Sequence, residues 1–91
     1  MIPRIRELET LPEYRLSALF DDGKRVLYNV AEDMRVIPSY RLLEDVPGLF
    51  RQARLDESRT CVYWNEEIDL PSDTIYEYGV EMTPDSKGDD A

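Results

Sequence analysis

Ninety-one residues, 42% of them apolar and nine aromatic (one Trp, six Tyr, two Phe), suffice for one small core and not for two. A single cysteine and no histidine exclude an internal disulfide and the common zinc ligand sets; no apolar run reaches bilayer length and the start, MIPRIRELET, has no hydrophobic leader core, so a cytoplasmic protein with no membrane contact is expected. The formal charge of −9 is uneven: residues 1–59 carry eleven acids against ten bases, a net of −1, whereas residues 60–91 carry nine acids against Lys87, a net of −8, which repels phosphate backbones and counts against direct nucleic-acid binding.

Arg4 to Leu8 suits a first strand, held to an end or edge position by Pro3, which has no N–H for a ladder. The clearest local signal follows in YRLSALFDDGKRVLYNV, residues 14–30, where apolar residues alternate on both sides of an Asp-Gly pair and predict a β-hairpin. A two-residue loop would place Phe20 opposite Arg25 and Leu16 opposite Asn29, mixing apolar and polar residues on one face. A three-residue loop of Asp21, Asp22 and Gly23 instead pairs Phe20 with Lys24, Ala18 with Val26, Leu16 with Tyr28 and Tyr14 with Val30, which makes one face almost wholly apolar. Gly23 is then required for its positive φ.

Next, PSYRLLEDVPGLFRQA has apolar residues at 42, 43, 46, 49, 50 and 53, a helical spacing interrupted by Pro47 and Gly48. Two short helical pieces are expected, the first capped by Ser39 and the second by Asp45, with Leu43, Val46, Leu49 and Phe50 covering the sheet. ARLDESRTCVYW predicts a second hairpin, with a turn near Glu57 and Ser58 and a return strand from Thr60 to Trp64. In the following stretch Ser72 is placed to cap a helix from Asp73 to Tyr78 that Gly79 ends. The expected fold is α+β: a small antiparallel sheet of four to five strands, built from two hairpins and covered by two or three short helices. It forms one domain over residues 1–80, and residues 81–91 have too little apolar surface to fold and are expected as a disordered acidic tail.

WNEEIDLPSDTIYEYG, Trp64 to Gly79, holds five carboxylates and three large aromatics with no base, so it is the place to look for chemistry. As an EF-hand loop starting at Asn65 it would need Gly where Leu70 stands and Glu where Tyr76 stands, so that motif is absent. Paired carboxylates for glycoside hydrolysis need a cleft that a chain of this size has little room to build. Cys61 has no histidine to activate it and falls mid-strand, and there is no Gly-rich phosphate loop. Neither enzymatic activity nor a metal or cofactor is expected. Structurally, Tyr63 and Trp64 point to opposite faces of a strand, Leu70 and Ile75 return to the core, and Asp69 is placed to clamp the turn before the helix.

Three ordered blocks, PEYRLSALFDDGKRVLYNV, LLEDVPGLFRQARLD and VYWNEEIDLPSDTIYE, resemble the small bacterial proteins of domain of unknown function 2442 across residues 5 to 78. Pro12, Tyr14 and Leu16 match that family's strand start, Phe20, Asp22 and Gly23 its turn, and Trp64, Asp69, Leu70 and Tyr76 its closing segment. The chain departs from the pattern in Asn29, often Asp in the family, and in the order Pro71-Ser72, usually Ser-Pro, which moves the helix cap by one residue. The resemblance implies a compact α+β domain without established catalytic residues. It also implies a setting beside a second small protein, of domain of unknown function 4160, that looks like a toxin–antitoxin pair. The helix-turn-helix domain that some relatives add for DNA is not among these blocks.

The leading expectation is a non-enzymatic interaction module, the acidic antitoxin-like member of a two-gene pair, that binds a basic protein partner through Tyr63, Glu66, Glu67, Asp69, Asp73, Tyr76 and Glu77, with aromatics anchoring and acids steering. The alternative is an acidic imitation of nucleic acid that inhibits a nucleic-acid-binding protein. As for assembly, monomer and homodimer are both open, the latter by sheet extension at the Arg4–Leu8 edge.

Overall fold

The computed structural model describes residues 2–82. Seven strands and three α-helices follow in the order β1 (Ile5–Leu11), β2 (Arg15–Phe20), β3 (Arg25–Asn29), α1 (Val30–Val36), α2 (Leu42–Asp45), β4 (Arg54–Leu55), β5 (Cys61–Tyr63), β6 (Asp69–Pro71), α3 (Ser72–Tyr78) and β7 (Val80–Met82). The fold is α+β and antiparallel as read from the sequence, but its strands are divided between a four-stranded sheet, β1-β2-β3-β7, and a three-stranded sheet, β4-β5-β6.

The first hairpin has the register that the apolar pattern requires, with Leu16 opposite Tyr28 and Ala18 opposite Val26. Phe20 N donates to Lys24 O at 2.8 Å, Val30 N donates to Tyr14 O at 2.9 Å, and Gly23 takes φ +94°. Leu16, Ala18, Phe20, Val26 and Tyr28 are all buried on one face as a result. Strand β1 runs three residues beyond Leu8 and lies at the sheet edge.

After β3 the chain turns into a helix where the sequence reading continued the strand alternation through Val30. Asn29 leaves the sheet with extended backbone, and its Oδ1 accepts the Ala31 N–H at 3.1 Å, capping α1. Glu32 and Asp33 in the first turn and Arg35 in the last complement the helix dipole. Pro38 then forces Ile37 into extended backbone, φ −107° and ψ 109°, and the helix stops.

Between residues 38 and 52 two helical pieces form, but with other boundaries than expected. A 3₁₀ turn over Pro38–Arg41 runs into α2, and Ile37 precedes it without a side-chain cap, so Ser39 lies inside the element and caps nothing. Asp45 is the last residue of α2, not the start of a second helix, because Pro47 pushes Val46 to φ −97° and ψ 111°. The second piece is a single 3₁₀ turn, Phe50–Gln52. Leu43 and Phe50 are buried and Leu49 packs against the core, whereas Val46 is 43% exposed.

In the second hairpin, Arg54 pairs with Tyr63 and Leu55 with Val62. Asp56 Oδ1 closes its turn by accepting the N–H groups of Thr60 (3.0 Å) and Cys61 (3.2 Å). Strand β6 extends this small sheet, and Ser72 follows as the first residue of α3 rather than its cap. With Pro71 in the capping position the Ser72 hydroxyl is released, and it donates to Pro3 O at 2.6 Å, tying the chain start to α3. Gly79 ends α3 with ordinary negative φ; a Cβ there would lie 2.2 Å from Val26 Cγ1, so glycine is required by close approach. Strand β7 then pairs with β3, carrying the fold to Met82, two residues past the expected boundary; positions 83–91 of the expected tail lie outside the described residues.

The core is continuous beneath both sheets. Tyr14, Phe50, Trp64 and Tyr40 form an aromatic chain, with ring centroids 5.3 Å (Tyr14–Phe50), 5.9 Å (Phe50–Trp64) and 6.3 Å (Tyr40–Trp64) apart. Trp64 Nε1 donates to Phe50 O at 2.9 Å, so its one polar atom is satisfied where the ring is buried.

Candidate functional site

The acidic segment is built around two buried anchors, Trp64 and Ile68, joined by the Trp64 N–H donating to Ile68 O at 2.9 Å. Residues 65–67 loop out between them. Asn65 Oδ1 accepts the N–H groups of Glu67 (2.8 Å) and Ile68 (3.0 Å) and so clamps this turn, whereas the Asp69 side chain, expected to accept N–H bonds at the helix entry, makes none: α3 starts after Pro71 without a side-chain cap. Asp69 lies in β6 directly opposite Tyr63, and its contribution to the interior is its backbone carbonyl, which accepts the Tyr40 hydroxyl. Since Val62 and Leu70 face the core as a cross-strand pair, Tyr63 and Asp69 face outward together, with Arg54 of β4 on the other side of Tyr63.

The seven expected contact residues divide into two groups. Tyr63, Glu66, Glu67 and Asp69 belong to the outer face and turn of the small sheet. Asp73, Tyr76 and Glu77 lie on α3, where they line an open groove with Ile2, Pro3, Arg4, Asp21 and Asp22. Arg4, Asp21 and Asp22 were not marked by the sequence reading as contact residues, because they come to the groove from strand ends fifty or more residues before α3.

Tyr76 is structurally engaged. Its hydroxyl donates to Asp22 Oδ2 at 2.6 Å, its ring packs edge-on against Phe20 at 4.9 Å, and Lys24 Nζ sits 3.9 Å above its centroid. The Tyr76 hydrogen bond and the Lys24 N–H hold the Asp22 carboxyl below its ordinary value, and the same bond raises the Tyr76 hydroxyl. Asp21 is likewise lowered, chiefly by the Arg59 guanidinium. Asp56 is lowered too: partial desolvation opposes ionisation, and hydrogen bonds from Ser58 and from the Thr60 and Cys61 N–H groups outweigh it.

By contrast, the side chains of Glu66, Glu67 and Asp69 make no hydrogen bond and no ion pair among the described residues, and neither do those of Asp73 and Glu77. Cys61 opens β5 half-buried, and desolvation pushes its thiol up, away from the reactive thiolate. Among the described residues no three His, Cys, Asp or Glu side chains converge at metal-binding spacing, and no helix is long and apolar enough to cross a membrane.

No curated protein and no solved structure matches the chain. The family described as "Protein of unknown function (DUF2442)" matches residues 5–81, from the first residue of β1 to the middle of β7. That span contains both sheets, all three helices and both groups of acidic residues, and the chain therefore belongs to the DUF2442 family.

Proposed function

We propose that this protein is a non-enzymatic interaction module of the cytoplasm whose acidic turn docks a basic protein partner. The observation that carries the reading is a division of labour among its carboxylates. Asp21, Asp22, Asp33 and Asp56 are spent on internal hydrogen bonds, whereas Glu66, Glu67 and Asp69 are exposed and unengaged beside the half-buried Tyr63. Acids on a clamped turn that no neighbouring base engages can steer a cation-rich surface, and Tyr63 offers amphipathic contact area at low entropic cost. Arg54 beside Tyr63 sets one rim of that surface. An antitoxin-like role beside a small basic protein encoded next to it fits this chemistry.

The test is capture of the neighbouring gene product by the tagged protein, at low and high salt. A stoichiometric basic protein is expected to bind, to be released by salt, and to be lost from Glu66→Lys/Glu67→Lys. Retention by the charge-reversed variant would move the interface elsewhere, and an absence of binding at low salt would remove the reading.

A further inference from the structure

The two edges of the four-stranded sheet differ in what they offer. At β1 the edge is engaged at Ile5, whose N–H donates to Arg59 O at 2.8 Å, and the register breaks between Ile5 and Glu7. At β7 the one strand alongside is β3, and Val80, Glu81 and Met82 are all exposed. The first hairpin fixes which backbone groups are open there. Lys24 O and Val30 N bond back to Phe20 and Tyr14 of the β2 side, so Val26 and Tyr28 between them face β2 as well, and Arg25 and Leu27 face β7. Their partners Met82 and Val80 therefore direct both backbone groups to β3, and the N–H and C=O of Glu81 point outward. Among the described residues no other backbone group meets them.

Side chains decide which strand fits this edge. Cross-strand partners share a face, so the Glu81 side chain lies on the core side with Val26, while Val80 (68% exposed) and Met82 (39%) lie on the other. No base pairs with Glu81 among the described residues. Lys24 donates to Tyr76 O at 3.3 Å and sits over that ring, and Arg25 reaches Ser17 at 3.2 Å and Glu7 at 3.8 Å. At the other end of β7, Glu32 and Asp33 line a hollow with Tyr78 and Val80, and Arg15, the one base there, is bonded to Pro12 O. An incoming antiparallel strand must set one residue in a hydrogen-bonded pair with Glu81, about 5 Å from its side chain, where opposite charge stabilises and like charge destabilises. Two copies of this chain joined symmetrically along β7 would set Glu81 against its own counterpart, because no other residue of β7 has its backbone open. A segment of a different protein with Lys or Arg at that place, flanked by apolar residues lying along Val80 and Met82, meets the backbone, the charge and the apolar side together.

We infer that the open edge of β7 is a strand-addition site for a protein segment in which apolar and basic residues alternate, with a Lys or Arg of that segment paired to Glu81. The site shares no residue with the acidic turn, so it stands or falls separately from the docking proposed there.

Amide NMR of the full chain, titrated to millimolar concentration with the capped peptide Thr-Val-Lys-Val-Thr or its counterpart Thr-Val-Glu-Val-Thr, tests the inference. The lysine peptide is expected to move the Glu81 amide proton downfield as it gains an acceptor, to perturb Val80 and Met82 with it, and to bind about fivefold or more tightly than the glutamate peptide. Glu81→Lys should reverse that order, and Glu66→Lys/Glu67→Lys, which removes acids of the turn only, should leave it unchanged. Equal binding of the two peptides, no shift at Glu81 with millimolar peptide, or loss of binding in the turn variant overturns the inference. A Glu81 amide protected from exchange without peptide overturns it as well: protection lost on dilution identifies a second copy as the occupant, and protection that survives dilution identifies residues 83–91 of the same chain.

Discussion

Arg59 grips Asp21 with both terminal guanidinium nitrogens, Nη1 to Oδ1 at 2.8 Å and Nη2 to Oδ2 at 2.9 Å, across 38 positions of sequence. The contact joins the loop of the second hairpin to the loop of the first and hence links the two sheets. Arg59 holds this place with φ +63°, a left-handed conformation that costs a non-glycine residue energy, and it engages Ile5 through both its own carbonyl and its guanidinium. A planar fork is needed for a bidentate grip, and lysine cannot supply one. Arg59→Lys is therefore expected to lower the melting temperature, and in an NMR titration the Asp21 carboxyl should move up towards its ordinary value.

Gly79→Ala tests the close approach of α3 to β3. The new methyl would meet Val26 Cγ1 at 2.2 Å and the Ile75 carbonyl at 2.8 Å, so the variant is expected to lose about 1–3 kcal/mol by denaturant unfolding. Val26→Ala removes the first clash, and the double variant should be more stable than the sum of the two single losses predicts.

Trp64→Phe keeps the ring in the core but leaves the Phe50 carbonyl without its 2.9 Å donor. A loss of about 1–3 kcal/mol is expected from the unsatisfied acceptor and the reduced contact area, measured in urea. Near-ultraviolet circular dichroism should weaken with it, since Trp64 stacks on Phe50 at 5.9 Å.

The identity of the turn clamp is testable by comparing two neighbours. Asn65→Ala removes an acceptor for two N–H groups and should cost about 1 kcal/mol. Asp69→Ala leaves both of those bonds and the Tyr40 contact to its backbone intact, and the melting temperature should barely move.

Stability should fall at both ends of the pH scale, for opposite reasons. Asp21, Asp22 and Asp56 have carboxyls lowered by folding, so the stability they contribute is present above the unfolded value and lost as pH drops through the folded ones, below about 4. Tyr40, pushed up to about 12 chiefly by burial, and Tyr28, raised by burial and by its 2.5 Å hydrogen bond to Asp33, behave in the other sense. The unfolded chain releases these protons first, and stability declines as pH rises from about 10 through 12. Tyr40→Phe should flatten that alkaline limb in a pH series of melting temperatures.

The first hairpin, its register and Gly23 were legible in the residues alone, because alternation and turn chemistry are local and only one register makes a face apolar. The break at Pro47 was legible for the same local reason, yet helix α1 was missed entirely, since the alternation of β3 continues through Tyr28 and Val30 and hides the cap at Asn29. Strands β6 and β7 are three residues each, too short for any period to show, and they exist because neighbouring strands present unpaired backbone to them. The acidic turn was legible as composition, and the sequence reading placed its aromatics correctly on opposite faces. Which carboxylates are spent and which are free depended on partners far away in sequence, such as Tyr76 for Asp22 and Arg59 for Asp21. Local pattern thus determined which elements form where one residue type dominates a turn or a face, and tertiary packing decided the division into two sheets and the engagement of each charge, because those depend on contacts that no short window of sequence contains.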